Sequence, residues 1–279
     1  MKLKKSIILA VIFCTIFFVM GNAEACNKED LKAEIVDICK RYDVGFYYKN
    51  PNNMDILSYN CSKKYDPAST NKTYLALCVF KMIQENKIDI NEILEYKECH
   101  KYGGTGQIKR GSVGDKYSIE QLLKLLITQS DNIAARILRE RVGEDNLKNF
   151  LAQLGTPVET EKCVNQDFSA EDLIKHIECL FKFILEKTDL SEKAAIYFSS
   201  GIYNDKIPAG VPSLHVLHKP GWIPYKLICN DEAIIYDEGN EPYFLAIMSQ
   251  GIPEEEQPIF FQTLTSKIHE YHCCCKELQ

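Results

Sequence analysis

Beyond its first 25 residues the chain lacks any apolar run long enough to cross a bilayer, and it has no internal repeat, low-complexity stretch or Pro/Gly-rich linker. It also lacks a basic excess, with 33 Lys and Arg against 39 Asp and Glu and a net charge of −6. This acidic balance gives no electrostatic footprint for nucleic acid. The remaining length predicts one large domain, or two interleaved ones, with a substantial core.

The first residues resemble a secretion signal. Three lysines lie among the first five residues, Ser6–Met20 is almost wholly apolar, and Gly21–Ala25 supplies small residues for a peptidase. We therefore predict a signal peptide over residues 1–25 and an exported protein, extracellular, periplasmic or associated with the cell envelope. Its removal takes away three lysines and one glutamate, which changes the net charge from −6 to −8. The alternative is that the segment is retained as a membrane anchor. Cys26 directly after the cut could carry a lipid, but Ala23 stands where a lipoprotein motif needs Leu or a similar residue.

Cysteine is abundant, with 11 residues after the predicted leader. In an exported protein some should be oxidised, and an odd number leaves at least one thiol free or bonded to another molecule. The run Cys273–Cys275 beside His269 and His272 raises the question of a metal site. Three adjacent thiols make a poor tetrahedral cage. We expect a thiol cluster in the tail, with no metal and no cofactor.

The pattern of the chain is extended, then helical, then extended again. An α+β fold follows: an antiparallel sheet of about five strands flanked by N- and C-terminal helices, with an all-helical lobe inserted. The predicted sheet lobe comprises residues 26–66 and 212–279, and the helical lobe comprises residues 67–211. The predicted strands are Val44–Tyr48, Met54–Tyr59, Leu214–Lys219, Leu227–Tyr236 and Tyr243–Ser249, and the predicted flanking helices are Glu29–Arg41 and Glu256–Tyr271.

The first candidate catalytic motif is Ser69-Thr70-Asn71-Lys72 at the start of a predicted helix. Positions i and i+3 share one helix face, so the Lys72 amine can reach the Ser69 hydroxyl and act as its base. A lysine among apolar and cationic neighbours can lose its proton. Alone, the pattern is more typical of an N-cap serine followed by a solvated lysine.

The second motif is Ser130-Asp131-Asn132, a short polar turn between two strongly patterned helices. Such a turn can place a serine hydroxyl and an asparagine amide in a cleft. Its plainer interpretation is a helix-to-helix turn in which Asp or Ser caps the next helix.

The third motif, His218-Lys219-Pro220-Gly221-Trp222, closes an extended run after the helices. A strand lysine followed by a glycine that allows close backbone approach suits an anionic substrate group. The plainer interpretation is a strand end with a solvated lysine. Strand alternation should direct His218 and Lys219 to opposite faces.

The order and spacing of the three motifs resemble those of class A β-lactamases and penicillin-binding proteins, in which Ser-x-x-Lys, Ser-Asp-Asn and Lys-Thr-Gly follow one another. The resemblance runs from Val44 to the C-terminal helix. It implies that Ser69 is acylated, that Lys72 takes its proton and that Ser130 protonates the leaving amine.

The resemblance also implies substrate-binding roles. Asn132 would hold the substrate amide, and Lys219 would attract its carboxylate. Gly221 would permit close approach, and the N–H groups of Ser69 and Trp222 would form the oxyanion hole. Residues 103–106 would form the loop over the cleft mouth.

Two departures from the family pattern stand out. The segment Gly155–Phe168 lacks the Glu-x-x-Leu-Asn signature whose glutamate positions the deacylating water, which leaves Glu159, Glu161 and Asp167 as nearby carboxylates. Pro220 stands where the family has Thr or Ser, so one hydroxyl for the substrate carboxylate is missing. A charged hydrogen bond of this kind is worth about 1.5–3 kcal/mol.

Three functions stay open on the sequence. The leading hypothesis is a monomeric serine hydrolase of the β-lactamase type, acting on a β-lactam or related amide. The second is a penicillin-binding D-Ala-D-Ala peptidase or transpeptidase, acting on cell-wall peptides with slow deacylation. The third is a non-catalytic binder of wall fragments, which the intact set of Ser69, Lys72, Ser130 and Asn132 argues against.

Overall fold

The computed structural model describes residues 27–277 except positions 157, 238 and 240. The predicted signal peptide, its cleavage site and Cys26 lie outside the described residues. Among the helices that are described, none combines the length and apolarity needed to span a bilayer.

A five-stranded antiparallel sheet combines strands from both ends of the chain, in the order β2-β1-β7-β6-β5. The predicted α+β class and strand number are confirmed. A second, two-stranded ladder of three-residue strands was not predicted, because strands that short carry no alternation. The strands are β1 (Asp43–Lys49), β2 (Ile56–Tyr59), β3 (Ile93–Glu95), β4 (Lys116–Ser118), β5 (His215–Ile223), β6 (Ile228–Tyr236) and β7 (Pro242–Gln250).

The helices flank the sheet and fill the segment between β2 and β5. Local signals set where several begin: Ser118 and Gln121 form a capping box, as do Ser169 and Asp172. The helices are α1 (Lys28–Cys39), α2 (Lys72–Gln84), α3 (Ile119–Thr128), α4 (Asn132–Val142), α5 (Glu144–Gln153), α6 (Ala170–Ile184), α7 (Asp189–Ser199), the single turn α8 (Ile207–Gly210) and α9 (Gln257–Glu277).

The two faces of the sheet belong to separate apolar cores. Leu217, Ile234 and Ala246 pack with the inserted helices, whereas Val216 and Ala233 pack with α1 and α9. Neighbouring positions of one strand thus serve different cores, as strand geometry requires. The lobe boundaries at 66/67 and 211/212 stay predictions.

Candidate active site

Ser69 lies in a tight turn that leads directly into α2. The turn spans Ala68–Asn71, and Ala68 has a φ of +49°, a left-handed conformation that non-glycine residues rarely adopt. The half-buried Ser69 hydroxyl lies 3.1 Å from the Nζ of Lys72. The i and i+3 arrangement expected from the sequence therefore exists.

The Ser130 turn reaches the same lysine from across the helical lobe. Ser130 is fully buried with a φ of +53°, a strained conformation for a non-glycine residue that the surrounding contacts must maintain. Asp131 holds the turn, since one carboxylate oxygen accepts from the N–H groups of Ile133 and Ala134 and the other accepts from that of Ile108. The capping interpretation is thus also correct, for Asp131.

Lys72 binds four oxygen atoms at the centre of the site. The Ser130 carbonyl at 2.5 Å and the Asn132 Oδ1 at 2.6 Å can only accept. The hydroxyls of Ser69 and Ser130, at 3.1 and 3.0 Å, can either accept from the amine or donate to its lone pair. Burial and the charge of Lys219 hold the pKa of Lys72 well below its ordinary value. The lowered pKa and the contacts to both hydroxyls suit a lysine that can exchange a proton with Ser69 and Ser130.

Lys219 approaches Ser130 from the sheet. Its Nζ donates to the Ser130 Oγ at 3.0 Å and to the Pro220 carbonyl at 2.9 Å. Burial lowers the pKa of Lys219 to about 7, against the opposing effect of Asp231 and Glu232. The Ser130 hydroxyl therefore lies between two buried amines.

Glycine is required where β5 passes the Ser69 turn. A Cβ at Gly221 would lie 2.6 Å from the Ser69 backbone nitrogen and 2.8 Å from the Pro67 carbonyl. β5 is an edge strand of the sheet, so Pro220, which has no backbone N–H, interrupts no hydrogen bonds to a further strand on the outer side. His218 faces away from the cleft and binds Asp231 and Asn204.

The loop over residues 103–106 contacts the Ser130 turn. The Asn132 amide donates to the Gly103 carbonyl at 2.8 Å, and the Thr105 hydroxyl donates to the Ser130 carbonyl at 2.6 Å. Gly104 has a φ of +85°, and a Cβ there would lie 2.6 Å from the Asn132 Nδ2. Thr105 was missed as a supporting residue because its partner is 25 positions away.

The structure brings five predicted residues into one hydrogen-bonded group: Ser69, Lys72, Ser130, Asn132 and Lys219. Gly221 lies against it, and the half-buried Trp222 follows on β5, packed against Tyr203 with ring centroids 4.8 Å apart. The catalytic and binding roles of these residues stay predictions.

The carboxylates of the segment Gly155–Phe168 do not join this group. Within the described residues, Glu159, Glu161 and Asp167 make no hydrogen bond to Ser69 or Lys72. Two polar side chains of the segment, Thr156 and Gln166, are buried, and Gln166 accepts from the Glu159 backbone N–H at 2.8 Å. The segment is also held from outside, since the Cys163 backbone N–H donates to the Glu144 carboxylate at 3.0 Å.

One cluster of metal-ligand types lies elsewhere, where Cys99, His100 and Glu140 converge within 4.8 Å. The backbone N–H of Lys97 donates to His100 Nδ1 at 3.0 Å, so Nε2 carries the proton and donates it to Glu140. A metal needs the lone pair of that same Nε2. The cluster therefore fits a hydrogen-bonded support rather than a metal site.

The cysteines differ between the tail and the rest of the described chain. Cys274 is disulfide-bonded, so the tail is not simply the cluster of thiols that we expected, and the Cys273 Sγ lies 3.6 Å from His269 Nε2. Ahead of the tail, the described cysteines that carry free thiols are Cys39, Cys61, Cys78, Cys99, Cys163, Cys179 and Cys229. These thiols lie within the two cores and at the surface.

Known proteins share this architecture. The solved structure of PBP-A matches 88% of this chain and 96% of its own, with a TM-score of 0.79 and 18% identity. The β-lactamase structure from Sphaerobacter thermophilus matches with a TM-score of 0.76, 17% identity and coverage of 87% and 96%. The fold is therefore of the β-lactamase/transpeptidase class.

Sequence comparison identifies the family. The model of the "Beta-lactamase enzyme family" matches residues 29–272, nearly all of the described chain. The extended-spectrum β-lactamase PER-1 of Pseudomonas aeruginosa is 27% identical over 251 residues, 80% of each chain. β-Lactamase BRO-1 of Moraxella catarrhalis is 26% identical over 215 residues, 70% of this chain and 66% of its own. The chain belongs to the β-lactamase enzyme family and is a hydrolase of that type.

Proposed function

We propose that this protein opens the ring of a β-lactam through an acyl-enzyme on Ser69, and that it does so after export and removal of residues 1–25. One observation carries the proposal: Lys72 Nζ lies within hydrogen-bonding distance of both the Ser69 and the Ser130 hydroxyls. A single buried amine can thus receive a proton from the nucleophile and pass one toward the leaving group.

Acylation follows from this arrangement. Neutral Lys72 takes the Ser69 proton while the Ser69 oxygen attacks the lactam carbonyl, giving a tetrahedral anion and a charged lysine. When the C–N bond breaks, the nitrogen takes the proton of Ser130, and Ser130 is reprotonated by Lys72. The ring nitrogen thus carries the former Ser130 proton, Ser130 carries the proton that Lys72 took from Ser69, and the lysine is neutral again.

The neighbouring groups would bind and stabilise the substrate. The backbone N–H groups of Ser69 and Trp222 would face the developing oxyanion, at the point where Gly221 brings β5 against the turn. The Asn132 amide would hold the acylamide, and Lys219 would attract the ring carboxylate. A bound carboxylate raises the pKa of Lys219, so substrate binding itself favours the charged lysine.

Deacylation separates this proposal from a second candidate, a penicillin-binding peptidase or transpeptidase acting on cell-wall peptides. Hydrolysis of the ester needs a water activated by a base. Within the described residues no hydrogen bond joins Glu159, Glu161 or Asp167 to the Ser69–Lys72 pair, which favours slow release. The similarity to PBP-A, a mutant of which was solved as an acyl-enzyme complex with penicillin G, is in keeping with this candidate.

The test is intact-mass spectrometry of the mature protein during exposure to benzylpenicillin, with nitrocefin turnover measured in parallel. We expect an adduct of the whole penicillin mass on Ser69, with Ser69→Ala unlabelled as the matched control. Adduct loss together with steady-state turnover supports the hydrolase. A stable adduct with D-alanine release from muropeptides supports the second candidate, and no adduct on any residue refutes both.

A further inference from the structure

Glu232 is a buried carboxyl group beside the catalytic cluster that the proposed mechanism does not use. It is fully buried, and neither of its oxygens has a hydrogen-bond partner among the described residues. Buried carboxyl groups are normally paired, so an unpaired one calls for an explanation. Its position in the sheet indicates that the explanation is electrostatic.

The sheet places Glu232 directly opposite Lys219. The two residues are paired across the antiparallel strands β5 and β6, so their side chains leave the same face of the sheet. That face packs on the inserted helices, where the Lys219 amine meets Ser130. On its other side Glu232 is paired with Ala246 of β7. The carboxyl group thus lies behind Lys219, one strand further from the open edge of the sheet.

The surroundings of this carboxyl group contain little to stabilise its charge except Lys219. Thr73 of α2 faces it and lowers its pKa without forming a hydrogen bond of standard geometry, and the Thr73 hydroxyl is likewise unpaired among the described residues. Burial raises the pKa of Glu232 well above its ordinary value, the negative charge of Asp231 adds to this, and Lys219 opposes it. Charge on Glu232 and charge on Lys219 therefore favour each other.

Lys219 needs a negatively charged partner because its other charged neighbours include both acidic and basic side chains, whose effects on its charge oppose one another. Asp231 favours its charge from the opposite face of β6, whereas Lys206, packed over the Trp222 ring at 5.0 Å, disfavours it. Lys72 on α2 shares the Ser130 hydroxyl with it and would repel it when charged. A carboxylate within the cleft would offset this repulsion but would also repel an anionic substrate.

We propose that Glu232 is a positioning residue for acylation that acts through Lys219, its partner in the strand pair. Its shielded carboxyl group keeps the Lys219 amine charged to higher pH. Through Lys219 it sets the charge that Ser130 and the substrate carboxylate meet. Glu232 contacts neither the substrate nor the nucleophile. The inference rests on the proposed function for its link to acylation, but the coupling between the two side chains can be measured without any substrate.

The test compares the parent protein with Glu232→Gln and Glu232→Leu. Gln preserves shape and removes the ionisable group, whereas Leu also removes the unpaired polar atoms. Lysine labelled with ¹³C at Cε reports the titration of Lys219 by NMR, with the signal assigned through Lys219→Arg. The pH dependence of the rate of acylation by benzylpenicillin is measured on the same samples.

We expect both variants to lower the pH at which Lys219 loses its proton by about one unit. The alkaline limb of the acylation profile should move with it, while the melting temperature stays near the parent value for Gln and rises for Leu. Because the two variants differ in packing, an equal shift in both separates the electrostatic role from a structural one.

Three outcomes overturn the inference: an unchanged Lys219 titration in both variants, a shift in only one of them, or a shifted titration with an unmoved acylation profile. If the parent protein is never acylated, the proposed function fails instead, and the NMR titration still decides whether Glu232 controls the charge of Lys219.

Discussion

Replacing Gly221 with alanine tests the closeness of β5 to the nucleophile turn. The added Cβ would lie 2.6, 2.7 and 2.8 Å from backbone atoms of Ser69, Thr70 and Pro67, where ordinary contact begins at 3.4 Å. Strand and turn must therefore separate by roughly 0.6–0.8 Å, and backbone atoms cannot turn aside as a flexible side chain can. The region most affected is the gap in which the oxyanion would bind.

The expected result is a large loss of acylation with a moderate loss of stability. A misplacement of this order costs about 100-fold in rate, and overpacking costs about 1–3 kcal/mol in the free energy of unfolding. Acylation by benzylpenicillin is followed by stopped-flow or timed mass spectrometry, and stability by urea denaturation.

Gly103→Ala is the matched control, because a Cβ at Gly103 meets nothing within 4 Å and its φ is not in the left-handed region. It should acylate at the parent rate. A folded Gly221→Ala protein whose acylation rate stays within about threefold of the parent would refute the proposed packing of β5 on the turn.

Three further predictions concern other parts of the molecule. Burial lowers the pKa of His176 to about 4. The stability that neutral His176 allows is therefore complete above about pH 6.5 and falls by about 3 kcal/mol as the pH drops toward 4. Urea unfolding of the parent protein and of His176→Leu across this pH range should show the difference, and parallel pH curves would contradict it. Pro220→Thr should raise the acylation efficiency for an anionic β-lactam about tenfold by restoring one hydroxyl to the carboxylate site, and an unchanged rate constant would show that this hydroxyl has no role here. Zn²⁺ should not bind at His100, because its Nε2 carries a proton. Calorimetric titration with Zn²⁺ should therefore give the same heat for the parent protein and for His100→Gln. EDTA should leave acylation unchanged.

The sequence predicted the elements whose signals are local. The flanking helices predicted at Glu29–Arg41 and Glu256–Tyr271 are found at Lys28–Cys39 and Gln257–Glu277, because their apolar spacing lies within each segment. The facing of His218 and Lys219 followed from strand alternation alone. The short strands β3 and β4 escaped prediction, since three residues define no period.

The oxidation state of the cysteines and the position of Glu232 could not be predicted in this way. Which thiols meet depends on the packing of distant segments, and local patterns carry no information about it. The run Asn230-Asp231-Glu232 was a usable signal, because three polar residues within an otherwise apolar strand are costly unless each has a function. Only the pairing of β6 with β5 shows that Glu232 lies opposite Lys219.

The residue order alone determined the meeting of Ser69 with Lys72, since a single helical turn brings positions three apart onto one face. Tertiary structure decided everything that depends on distant segments: the approach of Ser130 to Lys72 over 58 positions, the 89 positions that separate Ser130 from Lys219, and the burial that lowers the pKa of both amines. Helical geometry is a property of neighbouring residues, whereas desolvation is imposed by whichever parts of the chain exclude water from a group.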